Sequence, residues 1–391
     1  MQKQKNIPQL RFPEFEGEWE RKKLGEIGEF KNGINKSSED FGFGIPFINL
    51  MDVFGKPIIS NLNLGLVNAN EKEIKSYELK KGDVLFIRSS VKKTGVGETS
   101  LLIEDLPNTV YSGFLIRFRD NKINLYLHFK KYCFYINQFR NDLISLSTTS
   151  ANTNINQESL NELYISIPSL PEQTRIASFF TILDKKIAGL KQKKNLLEQY
   201  KKGVMQKIFS QELRFKNEIG KDFPKWEKKK LGEVAIKKSS NISANKIEDN
   251  FGNYIIYGAS GVLKKVDFYK EENDYISIIK DGAGVGRLFY CKGKSSVLGT
   301  MEIIKPKEEI NTHFLFSLLS NIDFVKYVSG STIPHIYFKD YSLEICGIPC
   351  LEEQTKIASF LSAIDGKINQ SGIQIEKTLH YKKSLLQNMF C

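Results

Sequence analysis

LPEQTRIASFFTILDKKI at residues 170–187 returns as LEEQTKIASFLSAIDGKI at residues 351–368, displaced by 181 positions without a gap. The register continues to the end of the chain, where Tyr200-Lys201-Lys202 is answered by Tyr381-Lys382-Lys383 and Phe209 by Phe390. Upstream, Trp19-Glu20-Arg21-Lys22-Lys23-Leu24-Gly25-Glu26 returns 207 positions later as Trp226-Glu227-Lys228-Lys229-Lys230-Leu231-Gly232-Glu233. Leu10-Arg11-Phe12 likewise returns as Leu213-Arg214-Phe215. Self-similarity on this scale marks a duplicated unit. A variable block leads into a repeated segment, and both follow again, the second block being 26 residues shorter.

The repeated segments read as helices with one apolar stripe. Steps of four and three join Ile176, Phe180, Leu183, Ile187, Leu190, Lys194, Leu197, Lys201, Val204 and Ile208. The same register joins Ile357, Leu361, Ile364, Ile368, Ser371, Ile375, Thr378, Lys382, Leu385 and Met389. Apolar at most positions over about five heptads, this is the seam of a long coiled coil. A helix of about 37 residues runs roughly 55 Å at 1.5 Å per residue. It cannot bury that seam alone. Its own copy, related by a pseudo-twofold axis and therefore antiparallel, is the favoured partner, with a dimerisation arm as the alternative.

Ser169-Leu170-Pro171-Glu172 reads as a capping box with proline inside the first turn. Cys350 takes the cap position in the second copy, whose N-terminus is expected to be less well held. Seam positions near the helix ends are expected to be exposed.

Length and a 41% apolar fraction suit two to three packed domains. The formal net charge of +12 favours a polyanionic partner, nucleic acid foremost. There is no run of about 18 apolar residues, and the opening MQKQKNIPQLRF lacks a signal-peptide core, so a cytoplasmic location is expected. Cys133, Cys291, Cys346, Cys350 and Cys391 form no regular framework, and Cys346, Cys350 and His335 lack zinc-site spacing; no metal is expected.

Within each variable block an apolar, β-branched run reads as a buried strand that opens into a basic, glycine-bearing loop. Residues 83–87 lead to Arg88, Ser89, Ser90, Lys92, Lys93 and Thr94; residues 275–279 lead to Lys280, Asp281 and Arg287. Glycine allows close backbone approach to a phosphate chain, and Arg and Lys supply charge. A second polar loop precedes each long helix. Thr148, Thr149, Ser150, Asn152 and Asn154 carry it in the first block, and Ser331, Thr332, His335 and Tyr337 in the second. Asn pairs bidentately with adenine, Ser and Thr with several base edges, and Arg or Lys with guanine. Solvated turns are the plainer reading of such stretches.

Catalytic signatures are missing. DGAGVG at 281–286 lacks the third glycine of a dinucleotide fingerprint, Arg287 standing in its place, and no P-loop lysine follows. There is no Pro-Pro pair of the kind adenine methyltransferases use, and His128, His313, His335 and His380 are scattered.

This layout resembles the specificity subunit of type I restriction–modification systems. The most specific elements are Ile167-Pro168-Ser169-Leu170-Pro171-Glu172-Gln173 with Ile176-Ala177, and Ile348-Pro349-Cys350-Leu351-Glu352-Glu353-Gln354 with Ile357-Ala358. The entry segments at Trp19 and Trp226, and Tyr257-Gly258-Ala259-Ser260-Gly261, add to it. The family pattern prefers a second proline where Ser169 and Cys350 stand.

The resemblance implies an α+β protein with two mixed α/β target recognition domains separated by two long antiparallel coiled-coil helices. The divisions would be 1–168 for the first recognition domain, 169–210 for the first helix, 211–225 for a linker, 226–348 for the second domain and 349–391 for the second helix. It further implies a non-catalytic reader of a bipartite, gapped site in double-stranded DNA, with the helices as ruler. Ile176, Phe180, Leu183, Ile187, Ile357, Leu361, Ile364 and Ile368 would serve the coiled coil and its partners. Two methyltransferase subunits would bring S-adenosylmethionine, and restriction–translocase subunits ATP and Mg, none of these cofactors binding this chain. An anti-restriction decoy or methyltransferase-binding scaffold, and an autonomous nuclease, are the alternatives.

Overall fold

The computed structural model describes residues 6–59, 63–247 and 252–391. The chain divides into two compact units, Met1–Gly189 with Ile375–Cys391, and Leu190–Gln374. Each unit holds one variable block, part of the helix Leu170–Phe209 and part of the helix Leu351–Asn388.

In the first unit, the strand Glu20–Lys23 pairs antiparallel with Tyr164–Ile167, the strand that feeds the long helix. A five-stranded sheet runs in the order Glu29–Asn32, Leu115–Arg119, Val84–Ile87, Thr99–Leu102, Ile58–Ile59. A three-stranded sheet of Gly65–Val67, Phe41–Ile48 and Val110–Tyr111 lies beyond it in the same block. Phe86, Phe118 and Phe134 meet edge to face at the aromatic centre of the core, with Phe139 tilted against Phe134.

The second unit repeats this plan. Glu227–Lys230 pairs with Ile345–Ile348. A four-stranded sheet runs Ala235–Ser239, Met301–Pro306, Tyr275–Ile279, Leu288–Cys291, and a three-stranded one Gly261–Val266, Tyr254–Gly258, Ser295–Val297.

The heptad seam is visible in the burial pattern. Every one of its twenty positions is buried or half-buried, while exposed residues fill most positions between. In the first unit, Ile176, Phe180 and Leu183 pack with Leu385, Leu386, Met389 and Phe390, and Ile187 is buried. In the second, Ile357, Leu361, Ile364 and Ile368 pack with Met205 and Ile208. In each unit the beginning of one long helix therefore meets the end of the other, which is the antiparallel arrangement. Burial of a large apolar side chain contributes about 1.5–3 kcal/mol. Contrary to expectation, the seam ends are the best covered part: Ile176, Ile208, Ile357 and Met389 are all buried. The variable blocks lie over them and supply the missing neighbours.

Two of the three charged seam positions are matched across the helix pair, the third, Lys194, pairing with Glu198 of its own helix. Lys382 donates to Asp184 at 2.5 Å in the first unit, and Lys201 to Asp365 at 2.6 Å in the second. Asp184 and Asp365, like Lys201 and Lys382, stand 181 positions apart, so each unit carries its copy of one link.

The helix starts are held otherwise than a capping box would hold them. Both oxygens of Glu172 accept from Arg11, at 2.7 and 2.8 Å. Glu353 accepts from Arg214 at 3.1 and 2.6 Å and from the indole N–H of Trp226 at 3.0 Å. Gln173 accepts from the Tyr126 amide at 2.8 Å and donates to Pro168; Gln354 accepts from the Asn311 amide at 2.9 Å and donates to Pro349. The second helix start is thus tied down as firmly as the first, because the Glu-Gln pair and not the cap residue does the tying.

Candidate nucleic-acid interface

In the first unit the buried strand Val84–Ile87 delivers Arg88 to the surface, and the chain then changes sheets. Ser89 and Ser90 pair with Asn154 and Thr153, which pair in turn with Thr148 and Thr149. The Ile155 amide donates to the Arg88 carbonyl at 3.0 Å and closes the near end. The two polar loops, some sixty residues apart in sequence, therefore form one small three-stranded sheet.

Lys92, Lys93 and Thr94 project from the adjoining turn and are exposed, as are Thr148, Thr149, Ser150 and Asn152. Arg88, Ser89, Ser90 and Asn154 are half-buried; Arg88 donates to Gly113 and Asn154 to Asn152. Val91 stands 84% exposed at the turn, an apolar tip among the cations.

Glycine and one arginine set the shape of this turn. Gly97 has φ +65°, and a Cβ on Gly95 would lie 2.4 Å from the Ser90 Oγ. Arg140, from the helix Asn137–Ser145, donates to the carbonyls of Thr94 and Val96 at 3.0 and 2.7 Å. Burial lowers its guanidinium below the usual arginine value, and Glu98 opposes that shift. Arg140 was not legible as a loop brace, since nothing in its local sequence sets it apart from a surface arginine.

The second unit reaches the same end by other means. The Ile279 amide donates to Arg287 and the Gly286 amide to Ile279, making a tight return after the buried strand Tyr275–Ile279. Gly282, Gly284 and Gly286 sit at φ +86°, +89° and +84°, where a side chain is strained, which accounts for the glycine cluster without any nucleotide.

The Gly282 amide donates to Pro334 at 2.8 Å, and Ile336 donates to Lys280 at 3.0 Å. Asp281 bridges His335, and His335 exchanges two backbone bonds with Ser329. The basic loop and the pre-helical loop again lie side by side. Ser331 and Thr332 are exposed and Lys280, Asp281 and His335 half-buried, with Tyr337 49% exposed and its ring beside His335. Arg287 is exposed and donates to the Ala259 carbonyl at 3.5 Å, on the far side of the glycine turn.

Among the described residues no three His, Cys, Asp or Glu side chains gather as metal ligands. No described helix is long and apolar enough to cross a membrane. The eight seam residues Ile176, Phe180, Leu183, Ile187, Ile357, Leu361, Ile364 and Ile368 face the coiled coil, so any partner of the helices must meet their other faces.

Each half of the duplicated frame thus presents a basic loop joined to a polar loop. The family model described as type I restriction modification DNA specificity domain matches residues 16–199 and again 224–379, and the chain belongs to that family of specificity subunits. The MjaIX type I restriction enzyme specificity subunit of Methanocaldococcus jannaschii is 26% identical over 93% of this chain and 90% of its own length. Another from that organism, provisionally assigned as MjaX, is 27% identical over 98% and 95%. The crystal structure of the type I S subunit from M. genitalium shares the fold, with a TM-score of 0.61 at 16% identity over 98% of this chain and 99% of its own. A chain from a study of type I complex assembly and conformational transition gives 0.57 at 15% identity, over 95% and 97%.

Proposed function

We propose that this chain reads a bipartite, gapped site in double-stranded DNA, one half-site per variable block, and directs partner subunits to it without catalysing the reaction. The observation that carries this is the pairing, in both units, of a basic glycine-turned loop with an Asn/Ser/Thr- or His/Tyr-bearing loop. Phosphate contacts from Lys92, Lys93, Lys280 and Arg287 supply the salt-dependent affinity; Thr148, Thr149, Ser150, Asn152 and Asn154, with Ser331, Thr332, His335 and Tyr337, supply base readout. Arg88, Ser89, Ser90, Thr94 and Asp281 frame the two surfaces.

On this reading the antiparallel helices set the number of unspecified base pairs between half-sites. Two methyltransferase subunits grip the helices and bring S-adenosylmethionine for adenine methylation; restriction–translocase subunits join with ATP and Mg, in the cytoplasm. The family membership, with the M. jannaschii relatives, supports these roles.

The loop assignment is tested by replacing Lys92 and Lys93 with alanine in the chain bound to its methyltransferase subunits. Affinity for cognate and unrelated DNA should fall together, and the slope of log affinity against log salt should shrink by about one for each phosphate no longer neutralised. An unchanged slope would remove these lysines from the interface.

A further inference from the structure

One side chain of the first reading surface has no part in phosphate contact or hydrogen bonding. Val91 is the most exposed of the large hydrophobic residues described, at 84%. It directly follows Ser90, which pairs with Thr153 at the end of the small three-stranded sheet, and continuing that register sets Val91 opposite Asn152. Lys92 and Lys93 come next; both are exposed, and neither forms an ion pair among the described residues. The nearest acids along the chain, Asp83 and Glu98, accept from Arg119 and from the Gly55 amide.

A single exposed apolar residue is ordinary on a protein surface, but two features set Val91 apart. The turn that holds it out is braced from several sides. Arg140 donates to the Thr94 and Val96 carbonyls, the Gly95 amide to Lys92 at 2.8 Å and the Gly97 amide to Ile87 at 2.7 Å. A β-branched side chain is itself stiff at χ1, so the tip has little freedom. The second feature is that the other block repeats the combination from its other loop. Ile333 is 62% exposed, next to the exposed Thr332, on the loop that Ser329 and His335 close with two backbone bonds of 2.9 and 2.8 Å. The Ile333 carbonyl lies 3.2 Å from the His335 Nδ1, and a Cβ on Gly330 would lie 2.4 Å from that same oxygen. Each reading surface thus holds a β-branched apolar side chain out in water on a braced loop, where it adds nothing to the core.

We propose that Val91 reads the C5-methyl group of a thymine in the first half-site. The inference rests on the reading above, in which this surface lies on DNA. That methyl is the one apolar group that the base edges display in the major groove, and a side chain without hydrogen-bonding atoms can recognise nothing else there. Lys92 and Lys93 on neighbouring phosphates fix the position of the tip, and contact removes both the valine and the methyl from water. The Ser, Thr and Asn side chains beside it then supply the hydrogen bonds of the same half-site.

The test is fluorescence anisotropy with the full chain bound to its methyltransferase subunits, on duplexes carrying the site that methylome sequencing reveals. Each thymine of the first half-site is replaced in turn by deoxyuridine, which keeps the base pairing and lacks the methyl. At one position wild type should bind about three- to tenfold more weakly, the worth of one buried methyl group. Val91→Ala should bind thymine and deoxyuridine alike there, at the affinity wild type shows for deoxyuridine, while Val91→Ile should keep the preference. Ile333→Ala, which acts on the other half-site, should keep it too. Val91 is exposed, so its substitutions leave the fold intact, and thermal melting checks them. A first half-site without thymine, a wild type indifferent to every deoxyuridine, a preference that survives in Val91→Ala, or one that vanishes in Ile333→Ala overturns the thymine contact and leaves the wider reading standing. A complex that binds all DNA sequences equally overturns the wider reading and the thymine contact with it.

Discussion

Glu172 and Glu353 each hold an arginine, yet only Glu353 also takes an indole N–H. The equivalent Trp19 buries its indole nitrogen without a partner among the described residues. Removing one member of a buried ion pair leaves the other charge stranded, at about 3–5 kcal/mol. Glu353→Gln should therefore destabilise its unit more than Glu172→Gln does. Trp226→Phe should cost about 1–2 kcal/mol, the worth of one hydrogen bond, beyond Trp19→Phe, which gives up an N–H that binds nothing. Denaturant melts of the four variants, followed by hydrogen exchange of backbone amides in each half, check both statements. Equal losses in the two halves would count against them. At this scale the sequence was only half legible. The repeat of Leu10-Arg11-Phe12 as Leu213-Arg214-Phe215 showed that something was kept, but Arg11 meets Glu172 across 161 residues, and no local period points there. The local motif suggested a cap instead.

Helices were the most legible elements, because a seven-residue period announces which face must be buried before any partner is known. That held even for Lys201 and Lys382 in the seam, whose acids at 184 and 365 repeat with them. Burial works to raise the Asp184 carboxyl, and hydrogen bonds from Lys131 and Lys382 outweigh it, holding it below the usual aspartate value. A depressed carboxyl adds stability that is complete above the unfolded value of about 4 and is lost as pH falls through the folded one. Melting temperature of the first unit should be insensitive to this group between pH 7 and 5 and should drop below about pH 4; Asp184→Asn should flatten that acid limb while lowering stability at neutral pH by about 1–3 kcal/mol. The glycine turn makes a different prediction. A Cβ on Gly286 would lie 2.8 Å from the Phe324 Cβ at a φ of +84°, so Gly286→Ala should cost about 1–3 kcal/mol locally and weaken reading by the second block alone. Methylation assays on sites altered in one half at a time would reveal it. Deleting one heptad from both long helices should change the permitted gap, or abolish methylation, while the bases read stay the same; unchanged spacing would end the ruler idea.

For the molecule as a whole, duplication was plain in the sequence and the joining of loops was not. Each candidate loop was visible by composition, basic and glycine-bearing or rich in Asn, Ser and Thr. That residues 89–90 and 153–154 pair as strands depends on two-residue pairings too short to leave a pattern. The second block hides it further, replacing strands with isolated bridges at Asp281 and His335. Two such surfaces on one duplicated frame are what the proposed reading of a divided site rests on. The most direct measurement is methylome sequencing of cells that carry the cognate methyltransferase subunit, with and without this chain. The account predicts a new adenine-methylation motif, in two parts separated by unspecified bases, that appears only when the chain is present. No new motif, with the methyltransferase subunit bound and active, would contradict it.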